Sequence, residues 1–178
     1  MNSCKFETKF ENLPDFQEFK PSPNGNDCAI FMFSANAGQP VKELSKVISG
    51  GELSRFMLAM KKIIANLDGI STMVFDEIDT GISGKIAQIV AQKTYDISKD
   101  RQVLAITHMP QLASMADCHF LIKKTATDDK TTTQLVRLDY DQRLEELSRL
   151  IGGVNTSTYA IPHAKEMIEY AESYKSGK

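Results

Sequence analysis

TMVFDEIDTGISGKIAQIVAQKTYDISKDRQVLAITH, residues 72–108, is the stretch that decides the fold. Thr72-Met73-Val74-Phe75 is a short apolar run that ends abruptly in Asp76-Glu77. Val103-Leu104-Ala105-Ile106 is a second one, ending in Thr107-His108. Runs of this length, closed off by polar residues, read as strands buried on both faces. Between them Ile82, Ile86, Ile89, Val90 and Ile97 recur at helical spacing, so the segment reads as one βαβ unit with parallel strands. In such a unit ligand chemistry gathers beyond the carboxyl ends of the strands, and both polar clusters lie there.

Immediately upstream, Leu53, Phe56, Met57, Met60, Ile63, Ile64 and Leu67 follow the 3.6-residue period of a helix with one buried face. Ser49-Gly50-Gly51-Glu52 spells a capping box that starts it, a hydroxyl and a carboxylate three residues apart. The preceding SANAGQPVKELSK is polar and reads as loop. Residues 5–10 and 28–33 are β-rich and separated by the turn-forming PSPNGND, which predicts an antiparallel pair near the N-terminus. Downstream, strands are predicted at 118–123 and 132–138, across a polar turn containing Asp128-Asp129. A helix follows from about Gln142 to Ile151, stopped by Gly152-Gly153, and a last one from about Ser157 to Tyr174 with Pro162 in its first turns.

Length and composition bound the rest. With 178 residues and 42% apolar content, the chain suits one globular domain, residues 1–178. Its 21 basic and 23 acidic residues nearly cancel, and no basic block exceeds a pair, so composition gives no sign of a nucleic-acid surface. Cys4, Cys28 and Cys118 form no CxxC pair, which removes a zinc knuckle and a disulfide framework; they read as small buried apolar residues in a reducing compartment. No stretch reaches the ~18 apolar residues of a membrane span and the first ten residues lack a signal-peptide core, so a cytoplasmic protein is expected.

Three clusters can carry chemistry. At the Ser49-Gly50-Gly51-Glu52 helix start, free backbone N–H groups and the helix dipole make an anion site, and glycine lets a phosphate approach the backbone. The same spelling also suits an ordinary capped helix. Asp76 and Glu77 close the first strand with side chains sent to different sides. One carboxylate can hold Mg²⁺, usually through water, while its neighbour polarises an attacking water, although two solvated acids leading into a loop fit the same residues. His108 closes the second strand, where a neutral imidazole can donate to a γ-phosphate or orient the attacking water, or simply serve the structure. Met57, Met60 and Met73 read as core filler. Gly84-Lys85 is not a Walker A end: the pattern GxxxxGK[ST] needs glycine at 79 and Ser or Thr at 86, and the chain has Asp79 and Ile86.

ISGGELSR, TMVFDEIDTG and LAITHMPQLASMAD, in this order, resemble the second half of an ABC-type ATPase head, and in their wording the RecN family of bacterial DNA repair proteins, which belongs with the chromosome-maintenance ATPases. The resemblance runs from about residue 28 to 153 and more weakly to both ends. It implies an α/β fold, the C-terminal lobe of a P-loop ATPase head with a mainly parallel sheet flanked by helices. Ile48 to Glu52 correspond to the signature motif, which contacts ATP on the opposite head of a dimer through Ser49, Gly50 and Gly51. Asp76 corresponds to the Walker B aspartate that holds Mg²⁺, Glu77 to the catalytic glutamate, Asp79 to the D-loop and His108 to the switch histidine. The implied ligands are ATP and Mg²⁺. The implied partners are the N-terminal Walker A lobe, a second head and DNA, with a role in double-strand break repair at the bacterial nucleoid. The sequence departs from the family in lacking a Walker A motif, a glutamine loop and a coiled coil. The chain by itself is therefore expected to bind ATP poorly, and two further readings stay open: a non-hydrolytic module docking on a partner ATPase, and a metal-dependent nuclease built from Asp76, Glu77, Asp79 and His108.

Overall fold

A computed structural model of the chain describes residues 4–12, 27–34, 38, 40–47, 50–64, 69–127, 130–153 and 159–177. Where the sequence suggests one globular unit, the contacts outline two, Met1–Ser49 and Gly50–Lys178.

In the first unit, β1 (Lys5–Asn12) and β2 (Asp27–Ser34) pair antiparallel as expected, with Phe6 opposite Phe33 and Thr8 opposite Phe31. Opposite residues share a face, so the phenylalanines gather on one side of the ladder, where the rings of Phe6 and Phe31 lie 5.4 Å apart. The segment read as loop is not wholly irregular: β3 (Lys42–Glu43) adds to β2, and α1 (Leu44–Val47) follows it.

The second unit holds the βαβ segment. Strand β4 (Thr72–Phe75) runs parallel to β5 (Gln102–Ala105), with Val74 opposite Leu104, and α3 (Gly84–Ser98) crosses between them. Helix α2 (Gly50–Ile64) precedes the unit and α4 (Pro110–Met115), which the sequence reading missed, follows it with proline at its start. An antiparallel hairpin, β6 (Phe120–Thr127) and β7 (Lys130–Arg137), leads to α5 (Tyr140–Gly152) and α6 (Ala160–Lys175). The Asp128-Asp129 turn lies outside the described residues. Helix α5 opens with a complete capping box: Asp139 accepts the Gln142 N–H, and the Gln142 side chain accepts the Asp139 N–H. The α/β class and the antiparallel N-terminal pair are thus as read. Parallel pairing is confined, among the described residues, to β4 and β5.

Burial departs from the sequence reading in three places. Met73 and Phe75 point into a core with Ala87, Val90 and Leu112, but Val74 is 62% exposed, Leu104 49% and Ile106 52%, so the sheet is covered on one face only. Helices α3 and α4 supply most of that cover, with Leu58 of α2 and Ala171 of the last helix in the same core. On α2 the predicted stripe is not the buried one. Leu53, Met57 and Ile63 are exposed, the last at 76%, and Leu67 lies outside the described residues. The line that faces the rest of the unit is buried Gly51 and Leu58 with half-buried Ser54 and Arg55, because these residues meet the loop after β4 and the core, while Lys62, itself exposed, reaches Asp96 of α3. Met73 fills core as expected whereas Met57 does not. The cysteines are exposed free thiols rather than core residues: Cys4 lies just before β1, Cys28 sits in β2, and Cys118 lies in the loop before β6 beside Arg137.

Candidate functional site

Parallel pairing places the carboxyl ends of β4 and β5 side by side. The ladder continues one step past the strands, with the Ile106 N–H donating to the Phe75 carbonyl at 2.9 Å, so Asp76 and Thr107 begin neighbouring loops. In the first loop Ile78 is fully buried in the core, which anchors the turn between two exposed acids and the next residue, Asp79. Asp76 is exposed and takes the Glu77 N–H on its Oδ1 at 3.0 Å. Glu77 has φ of 57°, a left-handed conformation that costs a residue with a Cβ about 1 kcal/mol or more and that recurs at functional loops. Its carboxylate is exposed, directly ahead of the turn closed by the Thr80 N–H on the Glu77 carbonyl.

Asp79 lies elsewhere than a ligand-facing loop residue would. It is 2% exposed, and its Oδ2 accepts the Thr107 hydroxyl at 2.5 Å and the His108 N–H at 2.9 Å. The same oxygen lies 3.1 Å from His108 Nδ1. Thr107 Oγ1 in turn accepts the Met109 N–H at 3.0 Å. The acid loop and the histidine loop are thereby one hydrogen-bonded structure, and the His108 ring projects from it 72% exposed. Thr107, read from the sequence only as part of the polar end of the second run, is the hydroxyl partner of Asp79, which its position before His108 could have signalled.

The start of α2 is fastened to the same place. Ser54 donates its hydroxyl to the Asp76 carbonyl at 3.1 Å, and Arg55 Nη1 donates to the Thr80 carbonyl at 2.7 Å. A Cβ on Gly51 would stand 2.6 Å from that carbonyl. Glycine is required at 51 by the close approach of the acid loop, a reason independent of any phosphate. No spacing rule exposes these two donors, because Ser54 and Arg55 reach residues more than twenty positions away. Gly50 begins the helix, while Ser49 and the Glu52 side chain, and with them the expected capping box, lie outside what the structure describes.

For Mg²⁺ the donor set is one exposed carboxylate, Asp76, with one oxygen engaged by a backbone N–H. Among the described residues no three carboxylates, imidazoles or thiols converge on a point. That set suits an ion that keeps most of its water and shares its remaining ligands with phosphate oxygens, which is how Mg²⁺ binds. A concavity of about 610 Å³ between the β6–β7 hairpin and α5 shares no residue with the site.

Solved structures of similar fold include heads of SMC ATPases. One is the Smc head domain with a coiled coil and joint from Pyrococcus yayanosii (TM-score 0.55, 22% identity, 80% of this chain and 25% of that one). Another is the Smc head domain of Pyrococcus furiosus with an extended coiled coil, bound to the C-terminal domain of ScpA (TM-score 0.51, 22% identity, 82% of this chain and 34% of that one). A third comes from work on ATP-driven dimerization and DNA-stimulated activation of SMC ATPases (TM-score 0.50, 20% identity, 83% and 84%). The fold is therefore that of part of an SMC-type ATPase head.

No family model matches the chain. Its sequence is 44% identical over 176 residues to the DNA repair protein RecN of Halalkalibacterium halodurans, covering 98% of this chain and 31% of that protein. To RecN of Bacillus subtilis it is 40% identical over 186 residues, 99% and 32%. The chain belongs to the RecN family over the portion it represents, and it spans about a third of the length of the curated relatives it matches. Among the described residues no helix is long and apolar enough to cross a membrane.

Proposed function

We propose that the chain is the C-terminal ATPase lobe of a RecN-type protein of DNA double-strand break repair, competent to hydrolyse ATP once a Walker A lobe and a second head complete the site. The observation that carries this reading is the shared platform at the ends of β4 and β5, where two exposed carboxylates and an exposed imidazole stand on loops tied through Asp79. Glu77 holds and polarises the attacking water as general base. Asp76 holds the hydrated Mg²⁺, which when bound neutralises charge on the phosphate oxygens. His108 addresses the terminal phosphate or its water from the neighbouring strand. The backbone at Ser49, Gly50 and Gly51, at the start of α2, meets the nucleotide of the opposite head.

Two features support a missing lobe. Tight grip on a triphosphate needs a P-loop with its lysine, and no GxxxxGK[ST] pattern occurs in the sequence. The bare apolar face of β4 and β5 is also of the kind that another layer of structure covers. The test is Mg²⁺-dependent ATP turnover of the full-length protein and of its Glu77→Gln variant. Loss of about 10²-fold or more is the expected cost of a missing general base, and equal rates would remove Glu77 from that role.

A further inference from the structure

Glu77 holds a positive φ of 57°, and the peptide groups on both sides of its Cα are pinned. In the peptide before it, the Glu77 N–H donates to Asp76 Oδ1 at 3.0 Å and the Asp76 carbonyl accepts the Ser54 hydroxyl at 3.1 Å. In the peptide after it, the Glu77 carbonyl accepts the Thr80 N–H at 3.1 Å. The Thr80 carbonyl, at the end of that turn, accepts Arg55 Nη1 at 2.7 Å. Two of these bonds are made within the loop, and the other two come from adjacent residues of α2. Ser54 and Arg55 thus grip both ends of the short segment that carries Glu77. Gly51, one helical turn earlier, lets α2 come this close: a Cβ there would stand 2.6 Å from the Thr80 carbonyl oxygen and 3.1 Å from Arg55 Nη1. A left-handed residue with a Cβ persists only where its surroundings over-determine it, and relaxing it to a negative φ sends the side chain in another direction.

We propose that Ser54 and Arg55 are the positioning residues of Glu77: from the start of α2 they hold its backbone in the left-handed conformation and so set the direction of its carboxylate. The kinetic half of this inference rests on the ATPase reading above; the conformational half does not. The consequence is that the start of α2 and the carboxylate move as one unit, since a shift of the helix reaches Glu77 through two hydrogen bonds and one tight contact. If Ser54 and Arg55 merely fastened α2 to the unit, their loss would lower stability and leave both the φ of Glu77 and its chemistry unchanged.

The test uses the chain labelled with ¹³C and ¹⁵N, in which the set of three-bond couplings across φ reports the conformation of residue 77. The native chain should give the couplings of a positive φ. Ser54→Ala with Arg55→Met, which removes both donors, should shift them toward a negative φ, and Ser54→Thr, which keeps the hydroxyl, should leave them in place. A native Glu77 with a negative φ, or a positive φ that survives the loss of both donors, overturns the proposal. Ser54→Ala alone, the milder change, decides by the same couplings if the double variant fails to fold. In the full-length protein Ser54→Ala should lower kcat for ATP by about 10-fold with KM little changed, as for a misplaced catalytic group, and Ser54→Thr should restore it. In a Glu77→Gln background Ser54→Ala should add nothing. An equal loss in that background means that Ser54 acts other than through Glu77 and overturns the kinetic half. Absence of ATP turnover in the native full-length protein overturns the ATPase reading and the kinetic half with it, while the couplings still judge the conformation.

Discussion

The loop after β4 and the outer face of β4 and β5 lie within a few residues of each other and invert the usual rule of burial. In the loop a carboxylate, Asp79, is 2% exposed and engaged through its Oδ2, and Ile78 beside it is buried in the core. On the sheet face Val74, Leu104 and Ile106 stand in solvent. A buried polar group is tolerable when partners replace the water it lost, and an exposed apolar patch is tolerable only at a cost that covering it would recover. The difference teaches that these residues organise the loops at the strand ends among themselves, while the apolar face of the same two strands is left open.

Isoleucine supplies the sharpest contrast. Ile78→Ala should destabilise the chain by about 3 kcal/mol in denaturant unfolding, the typical cost of emptying a fully buried site, while Ile106→Ala should cost less than about 1 kcal/mol. Equal losses would break the comparison. Asp79→Ala strands the Thr107 hydroxyl and the His108 N–H, for an expected cost of about 2 kcal/mol measured the same way.

A buried polar group without partners sharpens the point by contrast. His119 Nδ1 is buried with no hydrogen bond, and burial, followed by the nearby Arg143 guanidinium, lowers its pKa below the ordinary 6.5. The unfolded chain therefore binds this proton more readily than the folded one. The stabilising contribution is present above about pH 6.5 and is lost as pH falls through the lowered folded value. Native chain and His119→Gln should accordingly converge in relative stability toward acid, with the native protein losing more between pH 7 and pH 5 in thermal melts, values taken as roughly bracketing the histidine range. Parallel profiles would show that His119 does not titrate differently in the two states.

The smallest effect in stability concerns the bare face itself. Leu104→Ser should change unfolding free energy by less than about 0.5 kcal/mol, yet reduce self-association of the chain in light scattering. A native chain that stays monomeric at high concentration would show that the face is not adhesive.

Much of this was legible in residue order. Apolar runs and their polar stops located β4, β5 and the two loops, and helical spacing located α2, α3, α5 and α6 within a few residues, because secondary structure answers to local periodicity. The short α4 was missed because six residues are too few to show a helical period. The identity of Asp76, Glu77 and His108 as the residues to watch came from their place at strand ends, which is again a local property.

Burial was a different matter. The apolar stripe of α2 is present in the sequence, but the side that packs is the mixed line through Gly51, Ser54, Arg55 and Leu58, since those residues meet the Asp76–Thr80 loop and the core. Periodicity marks every apolar face, whether or not this chain holds what covers it. Sequence alone therefore determined most of the elements, their order and which polar residues stand at the strand ends. Only the tertiary structure decided that Asp79 turns inward to His108 and that one sheet face is left open, because hydrogen-bond partners and cover come from residues distant along the chain and close in space.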